Sequence, residues 1–249
     1  MKASNQKVIL IGLGGCSSSG KSTIAKIANS LITNSVLIHQ DDFFKHDNEI
    51  PINSKYNIQD WDTPDAIDFD LFKQELISIK KDGKIKTELI HNDNVEDPFK
   101  KFSLPYGFIN SISSKFNKII EAQQTTSKCE LKIVIVEGFM LYNDPNIAKL
   151  FDISLLVRSS YNTLKERRAG RPGYQTLDSY WVDPPYYFDE FVYKSYADTH
   201  SYLFINSDVE SGMLKPEFKD TIFLFDNNND TKIEDAVSWI FDAVAKSLN

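Results

Sequence analysis

Residues 15–22 read Gly15-Cys16-Ser17-Ser18-Ser19-Gly20-Lys21-Ser22, a complete G-x-x-x-x-G-K-[ST] phosphate loop. Before it stands Val8-Ile9-Leu10-Ile11, a β-branched apolar run that predicts a buried strand. After it, from Ser22 to Leu31, Ile24, Ile27, Ala28 and Leu31 fall at helical spacing. The chemistry needs this layout. Glycines let the backbone curl so that several N–H groups point at phosphate oxygens, and the helix N-terminus adds partial positive charge. Lys21 brings a compact cation to the outer phosphates, and the Ser22 hydroxyl is the expected first ligand of Mg²⁺. Gly12-Leu13-Gly14 does not open a dinucleotide fingerprint, because a G-x-G-x-x-G would need glycine where Ser17 stands. The stretch predicts a nucleoside triphosphate site.

Composition narrows the partners. A chain of 249 residues with 41% hydrophobic residues suits one globular domain, 1–249, with insertions. A net charge of −7 argues against nucleic acid or anionic membrane as partner, since both require broad positive fields. No obligatory protein partner is evident, so the expected ligands are small molecules. Anionic ATP must then be held by a local cluster of N–H groups, Lys and Arg with a metal. Two cysteines, Cys16 and Cys129, make no disulfide framework. With no signal-peptide pattern and no apolar run near the roughly 18 residues of a membrane span, the cytoplasm or nucleus is expected.

Four further apolar runs predict strands: Val36-Leu37-Ile38, Ile133 to Val136, Ile153 to Val157 and Ile222 to Phe225. Helical patterns lie between them. Phe69, Phe72, Leu76 and Ile79 recur at helical intervals before Gly83, and Thr63-Pro64 reads as an N-cap with proline at the first helical position. Thr231 to Glu234 reads as a capping box opening a last helix with Ile233, Val237, Ile240, Val244 and Leu248 on one face. Such alternation, with a phosphate loop after the first strand, predicts an α/β three-layer fold of the P-loop NTPase kind with a parallel sheet. Residues 84–130, rich in Asn, Asp, Ser and Lys, read as an insertion beside the sheet, with Phe108, Ile112, Phe116 and Ile119 lining a short helix. Asn227-Asn228-Asn229 reads as a surface turn.

In such sheets ligands sit beyond the carboxyl ends of the strands. Asp41 follows the second strand there, and could accept a proton from an attacking hydroxyl or help hold the Mg²⁺ shell. Glu137 ends the third, a Walker-B-like position suited to holding Mg²⁺ through water, as Asp41 also would. Leu164 to Arg171 reads as a helix ending in a basic cluster. Arg167 and Arg171 share a face, and Arg168 points about 100° away. Pro172-Gly173 breaks it, consistent with a lid over about 160–185. Trp61-Asp62 and Tyr174-Gln175 could form an aromatic sandwich beside a carboxylate that accepts from a ribose diol.

Together the blocks GCSSSGKST (15–23), HQDDFFK (39–45), YNIQDWDTPDAIDF (56–69), IVEGFMLYN (135–143), KERRAGRPGYQ (165–175) and TLDSYWVDPPYYFDEFVY (176–193) resemble the nicotinamide riboside kinases. These form part of the uridine-kinase-like branch of phosphate-loop kinases, and the likeness is strongest to the fungal form. The resemblance implies that Gly15 to Thr23 (Gly15, Cys16, Ser17, Ser18, Ser19, Gly20, Lys21, Ser22 and Thr23) bind ATP, with Ser22 and Asp41 linked to Mg²⁺. Asp41 would be the general base toward the ribose 5′-hydroxyl, with Asp42, Phe43 and Phe44 continuing the acceptor wall. Asp62 would hold ribose hydroxyls beside Trp61. Arg167 and Arg171 would contact ATP, Arg168 and Gln175 the acceptor, and Tyr174 both. Shorter animal members carry Tyr where Trp61 stands, have one residue fewer at Pro172-Gly173, and lack most of 84–130. The implied activity is ATP-dependent phosphorylation of nicotinamide riboside, and of nicotinic acid riboside, toward NAD. The rivals are a uridine or cytidine kinase and a slow nucleotide-hydrolysing switch.

Overall fold

The computed structural model describes residues 6–87 and 102–248. In chain order these form β1 (Gln6–Gly14), α1 (Lys21–Leu31), β2 (Val36–His39), the hairpin β3 (Ile52–Asn53) and β4 (Ile58–Gln59), α2 (Phe69–Asp82) and α3 (Tyr106–Ser127). There follow β5 (Glu130–Gly138), α4 (Pro145–Ala148), β6 (Ile153–Arg158), α5 (Tyr161–Ala169) and the hairpin β7 (Tyr174–Gln175) and β8 (Tyr180–Trp181). A π-helical turn, Phe188–Tyr193, then runs into α6 (Lys194–His200), and β9 (Ile222–Asp226) and α7 (Ile233–Leu248) complete the fold.

All five expected strands are present and pair in parallel, in the order β2-β5-β1-β6-β9. Strand periodicity divides the core. Val8 and Leu10 of β1 face a cluster containing Phe72, Leu76 and Ile79 of α2, whereas Ile9, Ile11 and Leu13 face Ile24, Ile27 and Ala28 of α1 and Val237 and Ile240 of α7. With both faces covered, the strands are near-continuous apolar runs, as a parallel sheet requires. This is the expected α/β three-layer arrangement, with the phosphate loop at the carboxyl end of β1.

Several local readings shift. Thr63-Pro64 opens its own 3₁₀ turn, Pro64–Ala66, and α2 begins later with Asp68 as its N-cap, accepting from Leu71 N–H at 2.9 Å. The Asp68 carboxylate can reach that orphan N–H, whereas Thr63 lies a full turn too early. Gly83 does end the helix, at φ 69°. At α7 the Thr231 hydroxyl accepts from Asn228 N–H at 3.0 Å, and the first helical bond runs to Lys232 O, so the expected capping box does not form.

Within 84–130, residues 88–101 lie outside the described residues. The expected short helix is longer than read: α3 has 22 residues and lies in the same layer as α1 and α7, with Phe116 edge-on to Phe241 at 4.9 Å. Phe108, Ile112 and Phe116 of the expected stripe do face that layer, and Ser113 donates to Leu31 O of α1 at 3.3 Å. Asn227 and Asn228 are more than a surface turn. Asn227 Nδ2 donates to Ser19 O at 2.8 Å, and Asn228 Oδ1 accepts from Ser160 N–H at 2.9 Å, bracing the phosphate loop against α5.

Candidate active site

The phosphate loop spans the gap between β1 and α1. Gly20 holds φ at 92°, and a side chain there would meet Asn227 Nδ2 at 2.5 Å, so glycine is required on both counts. Ser19 N–H donates to Cys16 O at 3.1 Å, and Ile24 N–H to Gly20 O at 3.1 Å, which fixes the curl. Cys16 is buried, and burial pushes its thiol up to about 12, so it is a packing group and no nucleophile. The hydroxyls of Ser18 and Ser19 are buried without hydrogen-bond partners. Ser22 and Thr23 occupy the first turn of α1, and Ser22 faces the cleft.

Beside the loop lies a cleft of about 270 Å³ that receives Ser17, Lys21, Ser22, Asp41, Asp42, Phe44, Trp61, Asp62, Glu137, Arg168, Arg171, Tyr174 and Gln175. A larger open groove of about 1330 Å³ runs beside β9, but it holds neither the loop nor Asp41 and Glu137, so chemistry places the site in the smaller cleft. Two predicted residues stand elsewhere. Phe43, 1% exposed, is edge-on to Phe72 at 5.0 Å in the core, so it is no part of the acceptor wall. In the 3₁₀ turn Gln40–Phe43, Asp41 and Asp42 point out while Phe43 turns in. Arg167 donates to Asn229 Oδ1 at 3.1 Å and to Ser19 O at 3.5 Å, beneath the loop.

Glu137 lies within β5, opposite His39 of β2 in the parallel register, and is 2% exposed. His39 Nδ1 is 2.6 Å from its Oε1, and Lys21 Nζ is 3.9 Å from its Oε2. Burial opposes the Glu137 charge, but His39, Lys21 and Ser22 together hold its pKa below the ordinary glutamate value. Asp41 moves the other way. The crowded cleft walls desolvate its carboxyl, although its outer surface still meets solvent, and the Glu137 carboxylate adds repulsion, so its pKa is raised.

The acceptor half is built around one guanidinium. Arg168 donates from Nε and Nη2 to Asp183 at 2.6 and 3.1 Å, and from Nη1 to Ser17 Oγ of the loop at 2.7 Å. Its Nη2 is also 3.5 Å from Asp62 Oδ2. Asp62, 6% exposed, nonetheless has its pKa pushed up to about 6: burial outweighs an Arg168 that is not hydrogen-bonded to it and is shared with Asp183. Arg168 itself stays protonated despite burial, because Asp62 and Asp183 flank it. It therefore ties Ser17 of the loop to the carboxylates Asp62 and Asp183. Arg171 falls beyond the end of α5 at Ala169, so it does not share a helical face with Arg167. It instead lies over the Tyr174 ring at 5.4 Å, with Arg168 over the same ring at 4.5 Å.

Trp61, Phe44, Phe139 and Trp181 form an aromatic corner: Phe44 meets Trp61 edge-on at 5.8 Å and stacks on Phe139 at 5.8 Å, and Trp181 is 6.1 Å from Trp61. The rings beside Trp61 are thus Phe44 and Trp181, with Tyr174 on the Arg168 side. Gln175 Nε2 donates to Ser179 O at 2.7 Å within its own hairpin. His39, Phe139, Trp181 and Asp183 were missed as site residues. Register with Glu137 could have found His39. Trp181 pairs across the hairpin with Tyr174 and donates from Nε1 to Asp183 at 2.9 Å, a fact that depends on a turn no periodicity reveals.

Comparison with known proteins identifies relatives along nearly the whole chain. Residues 10–171 match the phosphoribulokinase/uridine kinase family. The chain is 52% identical to nicotinamide riboside kinase of Saccharomyces cerevisiae, over 97% of this chain and 98% of that one. It is 43% identical to the enzyme of the same name from Eremothecium gossypii (95% and 92% covered) and 33% identical to that of Schizosaccharomyces pombe (98% and 99%). The phosphate loop, the strand-end Asp41 and the buried Asp62 share one cleft. The chain belongs to the phosphoribulokinase/uridine kinase family, in the branch of the nicotinamide riboside kinases.

Proposed function

We propose that the protein transfers the γ-phosphoryl group of ATP to the 5′-hydroxyl of nicotinamide riboside, and of nicotinic acid riboside, yielding the mononucleotide for NAD synthesis. The observation that carries this reading is the convergence of Lys21, Ser22, Asp41 and Asp62 on one cleft. The loop N–H groups and Lys21 cradle the triphosphate. Asp41, made more basic by desolvation and by the neighbouring Glu137 carboxylate, accepts the proton as the 5′-oxygen attacks. Asp62 accepts hydrogen bonds from the ribose diol. Transfer of this kind is loose and in line, so positioning and charge supply the catalysis. Arg168 fixes the acceptor carboxylates relative to Ser17 and so sets the distance between the two substrates.

The residues suit Mg²⁺. Glu137 Oε2 is buried without a hydrogen-bond partner, and the Ser22 hydroxyl opens onto the same cleft. Among the described residues no group of three His, Cys, Asp or Glu could hold a metal ion alone, which fits a cation that arrives with the triphosphate and keeps several waters. Ser22 would ligate it directly, and Asp41 and Glu137 through water. Bound there, it would neutralise charge developing on the phosphate oxygens.

Charge favours a pyridinium acceptor. The cleft is lined by four carboxylates, Asp41, Asp42, Asp62 and Glu137, against three cations, Lys21, Arg168 and Arg171, a net negative balance to which Asp183 beside Arg168 adds. Each well-placed aromatic face would add about 0.5–2 kcal/mol for a cationic ring. Uracil would stack but gain nothing from the charge. Cys16 and Cys129 are both free, which suits a reducing cytosolic setting.

The deciding assay combines purified protein, ATP and Mg²⁺ with nicotinamide riboside, nicotinic acid riboside, uridine or cytidine. Stoichiometric transfer with kcat/KM for the pyridine ribosides at least about 10-fold above the pyrimidines is expected. An equal or faster rate on uridine refutes the acceptor assignment, and phosphate release that needs no acceptor refutes the kinase reading.

A further inference from the structure

His39 closes β2 and lines the cleft, yet the phosphoryl-transfer scheme gives it no task. Its ring binds Glu137 Oε1 at 2.6 Å across the β2–β5 register. The other oxygen of that carboxylate, Oε2, is buried without a hydrogen-bond partner and is 3.9 Å from Lys21 Nζ. A glutamate's terminal torsion is soft, so burial alone does not fix the angle at which the carboxylate meets the phosphate loop. A donor held at the end of the neighbouring strand does, because with one oxygen tied the direction of the other is set. An unpartnered buried carboxylate oxygen is also costly, a cost relieved when a donor arrives with the ligand.

We propose that His39 is a positioning residue: by holding Glu137 Oε1 it presents Oε2 to the water shell of the divalent cation that accompanies ATP. The inference rests on the metal–triphosphate site of the proposed function, but not on the identity of the acceptor. The hydrogen bond does the positioning, and no proton is transferred.

Two variants separate this from a folding role. His39→Leu removes the donor, while His39→Asn keeps an N–H at nearly the position of Nδ1. The first readout is binding without acceptor: dissociation constants for ATP with and without Mg²⁺, by calorimetry. The wild type should prefer the metal complex, His39→Leu should lose about 10-fold of that preference, and His39→Asn should recover most of it. The second readout is steady-state kinetics, in which His39→Leu should lower kcat by about 10-fold with the nucleoside KM changed less than about 2-fold. A wild-type Mg²⁺ preference in His39→Leu, or an equal loss in both variants, overturns the proposal. If the wild type transferred to none of the ribosides, the acceptor reading would fall, and the binding ratio would still decide the role of His39.

Discussion

Replacing Asp62 with asparagine should make the protein more stable and a worse enzyme. The carboxyl is 6% exposed, and its pKa is raised from 3.8 to about 6 by burial, with Asp183 and Asp60 adding to the rise and Arg168 opposing it. A carboxyl whose pKa is higher folded than unfolded favours folding when protonated. That contribution is whole below about pH 3.8 and is lost as pH rises through about 6. A rise of that size corresponds to about 3 kcal/mol, nearly all of it lost by pH 7.5, against about 1 kcal/mol by pH 4.5. Asparagine keeps the shape and has no charge to desolvate. Arg168 is not stranded by the change, since its bonds to Asp183 at 2.6 and 3.1 Å and to Ser17 at 2.7 Å remain. Asp62→Asn should therefore raise Tm at pH 7.5 by about 6–10 °C, and by a third of that at pH 4.5. Catalysis should move oppositely: a charged acceptor becomes a neutral one, raising the nucleoside KM by about 10-fold with the ATP KM within about 2-fold. Thermal melts at both pH values, with kinetics on both substrates, test this. A lower Tm at pH 7.5, or a gain independent of pH, would refute the charge-burial argument, and equal rises in both KM values would remove Asp62 from the acceptor pocket.

Asp41→Ala should lower kcat by about 10²–10⁴-fold while ATP binding, followed by titration with a non-hydrolysable analogue, largely survives; near-normal turnover would rule out its base role. Because Asp41 must be ionised and its pKa is raised, the acid limb of kcat/KM should lie above the ordinary aspartate range, with rate lost as pH falls. A limb near 3.8, the ordinary value, would contradict the crowding of Asp41 by Glu137. Trp181→Leu should raise the nucleoside KM by about 10-fold and spare that for ATP, since one stacking face is worth roughly 1–3 kcal/mol; an unchanged KM would place Trp181 outside the acceptor contact. A disulfide reagent at pH 8 should modify Cys129 and not Cys16, whose thiol is buried and pushed up to about 12, as peptide mapping would show.

What the sequence disclosed, and what it withheld, follows from how local each feature is. The loop at 15–22 and the five strands depend on short-range patterns, and all are where periodicity put them. Asp41 and Glu137 follow from a topological rule, because strand ends meet at one edge of a parallel sheet whatever the loops do. Phe43 escaped because a 3₁₀ turn sends the last of its four residues inward, and neither strand nor α-helix spacing anticipates that. Arg171 escaped because α5 stops two residues short of it, at Ala169, where Gly170 follows. The deeper gap is the acceptor half. Arg168, Asp183, Asp62 and Ser17 come from α5, the segment after β8, the loop after β4 and the phosphate loop, and only the fold makes them neighbours. A buried guanidinium between two carboxylates is tolerable only with such complete pairing. Its hold on Ser17 ties the proposed acceptor pocket to the phosphate loop, so a change at Asp183 or Ser17 should reach both substrates. The same reasoning is why Asp62→Asn should act oppositely on stability and on catalysis: the charge that burial penalises is the charge the ribose diol and a pyridinium ring would use.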